Sequence, residues 1–219
     1  MEINWLKRTG SREIVLFFNG WGMDQRAVSH VEGEMDVCEV HDYRDIERGI
    51  APDLDAYETV NVVAWSMGVW AASLLVGRWN LCPRRMVALN GTECPVDDRY
   101  GIPVKGYILT ERGMDERGRE KFFRRMLTGN DREWFSGKMP ERPLAEQVEE
   151  LHCIREQAAR MHGEIGWDRV FVSTGDVIFP PENQRNWWGE RCRKVISLEG
   201  GHYPFRELDN WDLILHDDF

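Results

Sequence analysis

Within residues 57–76 an apolar run changes its period without a linker. Tyr57–Ala64 is β-branched and apolar, as in a strand buried on both faces, and Val69–Val76 is a dense apolar run suited to a buried helix. Between them stands Ala64-Trp65-Ser66-Met67-Gly68, with a small residue two places before and two places after the serine. A strand that turns straight into a helix brings the two backbones so close that these flanking positions must be small, and it holds the residue at the tip in a strained conformation. Taken alone, the string also fits a serine in an ordinary strand-to-helix turn, so the rest of the chain has to decide.

Strand-like segments recur at Glu13–Phe18, Val37–His41, Tyr57–Ala64, Arg85–Leu89, Arg169–Ser173 and Lys194–Leu198, with helical segments between them. That alternation predicts an α/β fold with a mostly parallel sheet flanked by helices. The chain has 219 residues, 42% of them hydrophobic and ten of them Trp, which suits one domain, 1–219, with a well-filled core. No internal repeat appears, which excludes a solenoid. One connection is too long for a crossover helix: about eighty residues separate Leu89 from Arg169. Residues 90–168 therefore read as a helical lid inserted in the domain. Phe122, Phe123, Met126 and Leu127 mark one amphipathic face in it, and Leu144, Val148, Leu151, Ile154, Ala158 and Met161 mark another, with Pro140 and Pro143 between them.

A net charge of −10 argues against a general nucleic-acid binder, which needs a basic surface. Met1–Arg12 is polar and charged, and the first apolar run, Ile14–Phe18, is too short for a signal sequence or a membrane span, so a cytoplasmic protein is expected. Cys38, Cys82, Cys94, Cys153 and Cys192 are odd in number and include no CxxC pair, which suits free thiols. The six His lack zinc-site spacing, His41 beside Asp42 reads as a polar pair at a strand end, and no metal or cofactor is expected.

A reactive serine needs a base, an acid that orients the base, and two N–H groups for the oxyanion. His202 is the best base, because it lies in the Gly-rich loop after the last strand. His216 sits in the acidic tail, His152 and His162 fall in the helical insertion, and His30 and His41 precede Ser66. Asp176, in the loop after Arg169–Ser173, is the best acid, with Asp97 and Asp98 as alternatives. The amide after the serine, Met67, supplies one oxyanion donor; Trp21, flanked by Gly20 and Gly22 after the first core strand, supplies the other.

The strand-serine-helix unit is similar to the nucleophile elbow of α/β-hydrolases. Phe18-Asn19-Gly20-Trp21-Gly22-Met23-Asp24, Ala64–Trp70, Gly175-Asp176 and Gly200–Phe205 together resemble the pimeloyl-ACP methyl ester esterases of biotin synthesis. His41–Asp45 and Leu89–Asp98, leading to Gly101-Ile102-Pro103, resemble the BioG type of that family, so the likeness runs along nearly the whole chain. One departure is Asn19-Gly20, where many relatives in the wider hydrolase group carry His-Gly; because the oxyanion donors are backbone groups, the change concerns their support. The resemblance implies an α/β-hydrolase fold, with Ser66 as nucleophile, His202 and Asp176 as its partners, and the Trp21 and Met67 amides as the oxyanion hole. It implies a substrate carried on acyl carrier protein, and hence an apolar slot, for which Trp21, Trp65, Phe122, Phe123 and Met126 are the candidates. Acyl carrier proteins are acidic, so Lys121, Arg124 and Arg125, with Arg155 and Arg160 on the later helix, are the expected docking residues. The same three side chains also fit a general short-acyl esterase or thioesterase, or an idle hydrolase fold kept for binding.

Overall fold

The computed structural model describes residues 1–128 and 131–216; residues 129, 130 and 217–219 lie outside the description. Seven strands form one sheet: β1 (Glu2–Lys7), β2 (Glu13–Phe18), β3 (Asp36–His41), β4 (Thr59–Trp65), β5 (Arg85–Leu89), β6 (Arg169–Ser173) and β7 (Val195–Leu198). Their order across the sheet is β1-β3-β2-β4-β5-β6-β7, parallel throughout except that β1 runs antiparallel to β3. The central strands read as continuous apolar runs because both sheet faces are covered. Ile14, Leu16, Phe18, Val62 and Ala64 enter one core, into which α1 (Met67–Arg78) sends Val69, Trp70, Ala72 and Leu75. The alternate residues Val15, Phe17, Val63 and Trp65 enter a second core on the opposite face, with Trp211 and Ile214 of α7 (Trp211–Leu215).

β5 and β6 are neighbours in the sheet although the long connection separates them in sequence. That connection carries α2 (Val104–Arg112), α3 (Glu116–Met126), α4 (Asp131–Phe135) and α5 (Leu144–Ala158), and α6 (Pro181–Trp188) follows β6. Among the described residues no helix is long and apolar enough to cross a membrane.

Two sequence readings are corrected here. Met1–Arg12, read as a polar N-terminus, contains β1, an edge strand pairing Ile3 with Val40 and Trp5 with Cys38. An edge strand has a ladder on one side only, so two alternate apolar residues suffice, and Trp5 gains a stacking partner in Tyr57, with ring centroids 6.0 Å apart. The second concerns His41. It does not pair with Asp42; its ring lies 3.3 Å from both Glu39 and Glu2, while Asp42 turns to Arg44 and Arg142.

At the head of β3, the buried Asp36 carboxylate accepts from the Thr9 amide at 2.7 Å, the Thr9 hydroxyl at 2.8 Å, the Tyr57 hydroxyl at 2.9 Å and the Gly10 amide at 3.3 Å. Burial opposes the charge, yet these donors outweigh it and hold the pKa at about 2. A carboxyl depressed on folding stabilises the fold above its unfolded pKa of about 4 and loses that contribution as the pH falls through its folded value. Asp36→Asn is therefore expected to lower the urea midpoint at neutral pH, and the gap from the unaltered protein should narrow between about pH 4 and pH 2. A gap that does not change with pH would assign the effect to packing alone.

Candidate active site

Ser66 sits between β4 and α1 at φ 58°, ψ −123°, a positive-φ conformation that costs an L-residue roughly 1–3 kcal/mol and persists only under constraint. The constraints are visible. Its amide donates to the Leu89 carbonyl at 2.9 Å, and its carbonyl accepts from the Val69 amide at 3.1 Å. A Cβ at Gly68 would stand 2.2 Å from the Phe18 carbonyl oxygen, and one at Gly91 would stand 2.3 Å from the Ser66 carbonyl oxygen. Backbone thus approaches the turn from both sides, which explains the small residue after the serine.

His202 lies in the loop that follows β7, with Nε2 2.8 Å from Ser66 Oγ and Nδ1 2.8 Å from Asp176 Oδ2. Because a carboxylate only accepts, His202 carries its proton on Nδ1, and Nε2 is the acceptor for the serine hydroxyl. The ring lies parallel to Phe179, and the His202 carbonyl accepts from Trp65 Nε1 and Asn90 Nδ2, both at 2.9 Å. Asp176, on the turn after β6, accepts at Oδ1 from the Ile178 and Phe179 amides at 2.8 and 2.9 Å, and at Oδ2 also from Gln184 Nε2 at 3.1 Å. The alternative acids are occupied elsewhere: Asp97 accepts from the Arg99 and Tyr100 amides, and Asp98 from the Val104 amide.

Asn90 and Gln184 were not singled out from sequence. Asn90, at φ 46°, joins the ends of three strands: it donates to Ser173 Oγ at 2.8 Å and to the His202 carbonyl, and it accepts from the Ser173 amide at 2.7 Å. Its one sequence signal is Asn-Gly directly after a strand, where Asn tolerates a left-handed backbone. Gln184 looks like a surface residue of a short helix until α6 is seen to turn it inward.

Ser66 and His202 border a cavity of about 190 Å³ whose walls include Trp21, Met67, Trp65, Phe122, Met126 and Tyr107. Trp21 is fixed by its Nε1–H to the Gln147 carbonyl at 2.8 Å and meets Phe122 edge-on at 4.8 Å. Phe123 does not line the cavity, in correction of the sequence reading; one position along α3 from Phe122 is a turn of about 100°, and its side chain is buried in the second core.

The five expected docking residues do not form one patch. Lys121, Arg124 and Arg125 line a surface groove with Gly175 and Val177, and Arg125, whose Nη2 donates to the Val177 carbonyl at 3.1 Å, also borders the cavity. Arg155 is committed to Glu111 of α2 at 2.7 Å and to Glu156 at 2.9 Å. Arg160 lies in a different depression, with Arg44, Glu47 and His152.

Residues 1–214 match the family described as pimeloyl-ACP methyl esterase BioG. A malonyl-[acyl-carrier protein] O-methyltransferase of Bacteroides fragilis is 37% identical over 200 residues, which are 90% of this chain; the chain spans 41% of that relative's length. The crystal structure of BioG from Haemophilus influenzae superposes with a TM-score of 0.91 at 31% identity, covering 99% of this chain and all of that one. A thermophilic esterase from Thermogutta terrifontis, at 15% identity, shares the fold with a TM-score of 0.65, covering 94% of this chain and 88% of its own. A mostly parallel sheet, a serine held on a strained strand-to-helix turn and likeness along the whole chain agree, and this chain belongs to the BioG family of pimeloyl-ACP methyl esterases, built on the α/β-hydrolase fold.

Proposed function

We propose that this chain is a serine carboxylesterase that hydrolyses the methyl ester of a pimeloyl chain carried on acyl carrier protein. The observation that carries this reading is the line of two 2.8 Å hydrogen bonds, Ser66 to His202 to Asp176, at the wall of an apolar cavity. Ser66 Oγ attacks the ester carbonyl as its proton passes to His202 Nε2, and the Trp21 and Met67 amides receive the oxyanion. The bond to the methoxy oxygen breaks, and methanol leaves with the proton from His202. Water then attacks the acyl-enzyme, giving its proton to His202; the free carboxylic acid departs, and Ser66 regains its proton. These steps call for no metal or organic cofactor.

Two further observations support a carrier-borne methyl ester. Trp21, Trp65, Phe122 and Met126 favour a neutral ester end, whereas a free carboxylate would lose its hydration there. The groove formed by Lys121 and Arg124 adjoins the cavity at Arg125, where an acidic carrier protein with a phosphate-linked arm finds complementary charge. The B. fragilis relative also has an acyl-[acyl-carrier protein] in its name. In this reading residues 90–168 are a lid within one domain, and the enzyme works in the cytoplasm with its carrier.

Lys121→Glu combined with Arg124→Glu is expected to raise KM for the carrier-bound ester by roughly tenfold at low salt and by less as salt screens the charges. Turnover of a small soluble ester should change less than about twofold, because neither residue borders the cavity. Equal losses on both substrates, measured by steady-state kinetics, would assign these residues to the structure of α3 instead.

A further inference from the structure

The loop that carries Trp21 is held by two fully buried carboxylates that touch neither Ser66 nor His202. Glu39, in the interior of β3, accepts from Asn19 Nδ2, which also donates to the Asp24 carbonyl at 3.1 Å. Because a carboxylate only accepts, this bond fixes which way the Asn19 amide points, and Asn19 Oδ1 is left to accept from the Gly20 amide at 2.8 Å. Glu150, on α5, accepts from the Gly22 amide at 3.2 Å, from the Tyr43 amide at 2.9 Å and from Arg142 at 2.6 Å. Gly22 is at φ 71°, and its carbonyl accepts from Gln147 Nε2 at 2.7 Å. The amides on either side of Trp21 are therefore both committed, while the Trp21 amide itself takes no acceptor among the described residues.

Buried charge is a poor way to gain stability, since an apolar replacement of similar shape is often neutral or better. What the two carboxylates supply is geometry. Resting on the serine-esterase reading above, we propose that Glu39, acting through Asn19, and Glu150 are positioning residues that aim the Trp21 N–H at the place where the oxyanion forms. Neither is a catalytic residue: each acts through an amide flanking Trp21. Glu150 also ties the donor loop to the helical segment between β5 and β6, and the Asp42–Arg142 pair at 3.2 Å backs it.

The test uses Glu39→Leu, Glu39→Gln and Glu150→Leu in the full chain, with p-nitrophenyl butyrate as substrate and phenylboronic acid as the probe of tetrahedral geometry. Glu39→Leu removes the acceptor for Asn19. Glu150→Leu removes the acceptor for the Gly22 amide, which Glu150→Gln would keep by leaving its oxygen on Gly22 and Arg142. Glu39→Leu and Glu150→Leu are each expected to lower kcat by about 10- to 100-fold and to weaken phenylboronic acid by a similar factor, with KM within about threefold. Glu39→Gln keeps an acceptor for Asn19, while its NH2 can donate to His41, so it is expected to stay within about threefold of the unaltered enzyme. Thermal melting separates folding from aim, and if Glu39→Leu fails to fold, Asn19→Ala is read in its place. Folded variants with unchanged boronate affinity, or Glu39→Gln as damaged as Glu39→Leu, overturn the proposal. An unaltered enzyme that neither binds phenylboronic acid nor labels with a fluorophosphonate overturns the esterase reading itself, and this proposal with it.

Discussion

Ser66→Ala is expected to reduce kcat for ester hydrolysis by roughly a millionfold, with His202→Ala close behind, because in the proposed reaction the three side chains act as a unit and the loss of one idles the others. Asp176→Asn should cost about ten-thousandfold, for a reason written in its hydrogen bonds. Oδ1 of Asp176 accepts from two backbone amides, Ile178 and Phe179, so an Asn must leave its oxygen there and turn its NH2 toward His202 Nδ1. His202 would then carry its proton on Nε2, facing Ser66 Oγ, and could not take the serine's proton. Each variant should melt as a folded protein, and steady-state kinetics of the purified chains measure the loss. Near-normal turnover by Asp176→Asn would remove Asp176 from the reaction.

Gly68→Ala is expected to have the largest effect on folding. The added Cβ would stand 2.2 Å from the Phe18 carbonyl oxygen and 2.7 Å from the Asn19 carbonyl oxygen, both backbone atoms of a buried strand end that cannot swing aside. Overpacking of this kind should cost upwards of about 3 kcal/mol and also displace Ser66. The paired control is Gly77→Ala on the same helix, where nothing lies within 4 Å of the added carbon; it should stabilise by about 0.5–1 kcal/mol. Urea unfolding of the two variants side by side gives both signs. A well-folded, active Gly68→Ala would mean that the strand and helix stand further apart than described.

Wherever a local pattern had only one geometric solution, the sequence was readable. The parallel strands β2 to β7 lie within about two residues of their expected places; β2, β4, β5 and β6, covered on both faces, are largely apolar runs bounded by turn residues, while the edge strand β7 shows alternation instead. Ser66, Asp176 and His202 follow the fold's chain order after the ends of β4, β6 and β7, and the structure brings them into one line. Side chains that are polar yet buried stayed hidden. Glu39 and Glu150 have the letters of surface residues, and only the long-range contacts of β3 and α5 with the Trp21 loop give them partners. The same limit explains β1, whose single ladder asks little of its sequence, and Phe123, where one step along a helix separates a cavity wall from the core. Arg155 and Arg160 are docking candidates by charge alone, and charge along a sequence does not reveal which carboxylates pack against it; Glu111 of α2 takes up Arg155.

Incubation of the purified enzyme with pimeloyl-ACP methyl ester, followed by intact-mass measurement of the carrier protein, tests the central proposal most directly. The proposed reaction replaces a methyl group by hydrogen on the carrier-bound chain, releases one methanol for each chain and leaves the thioester to the carrier intact, and Ser66→Ala abolishes the change. Free carrier protein with its thiol exposed would identify a thioesterase, and an unchanged carrier mass alongside ready hydrolysis of small soluble esters would contradict a carrier-bound substrate.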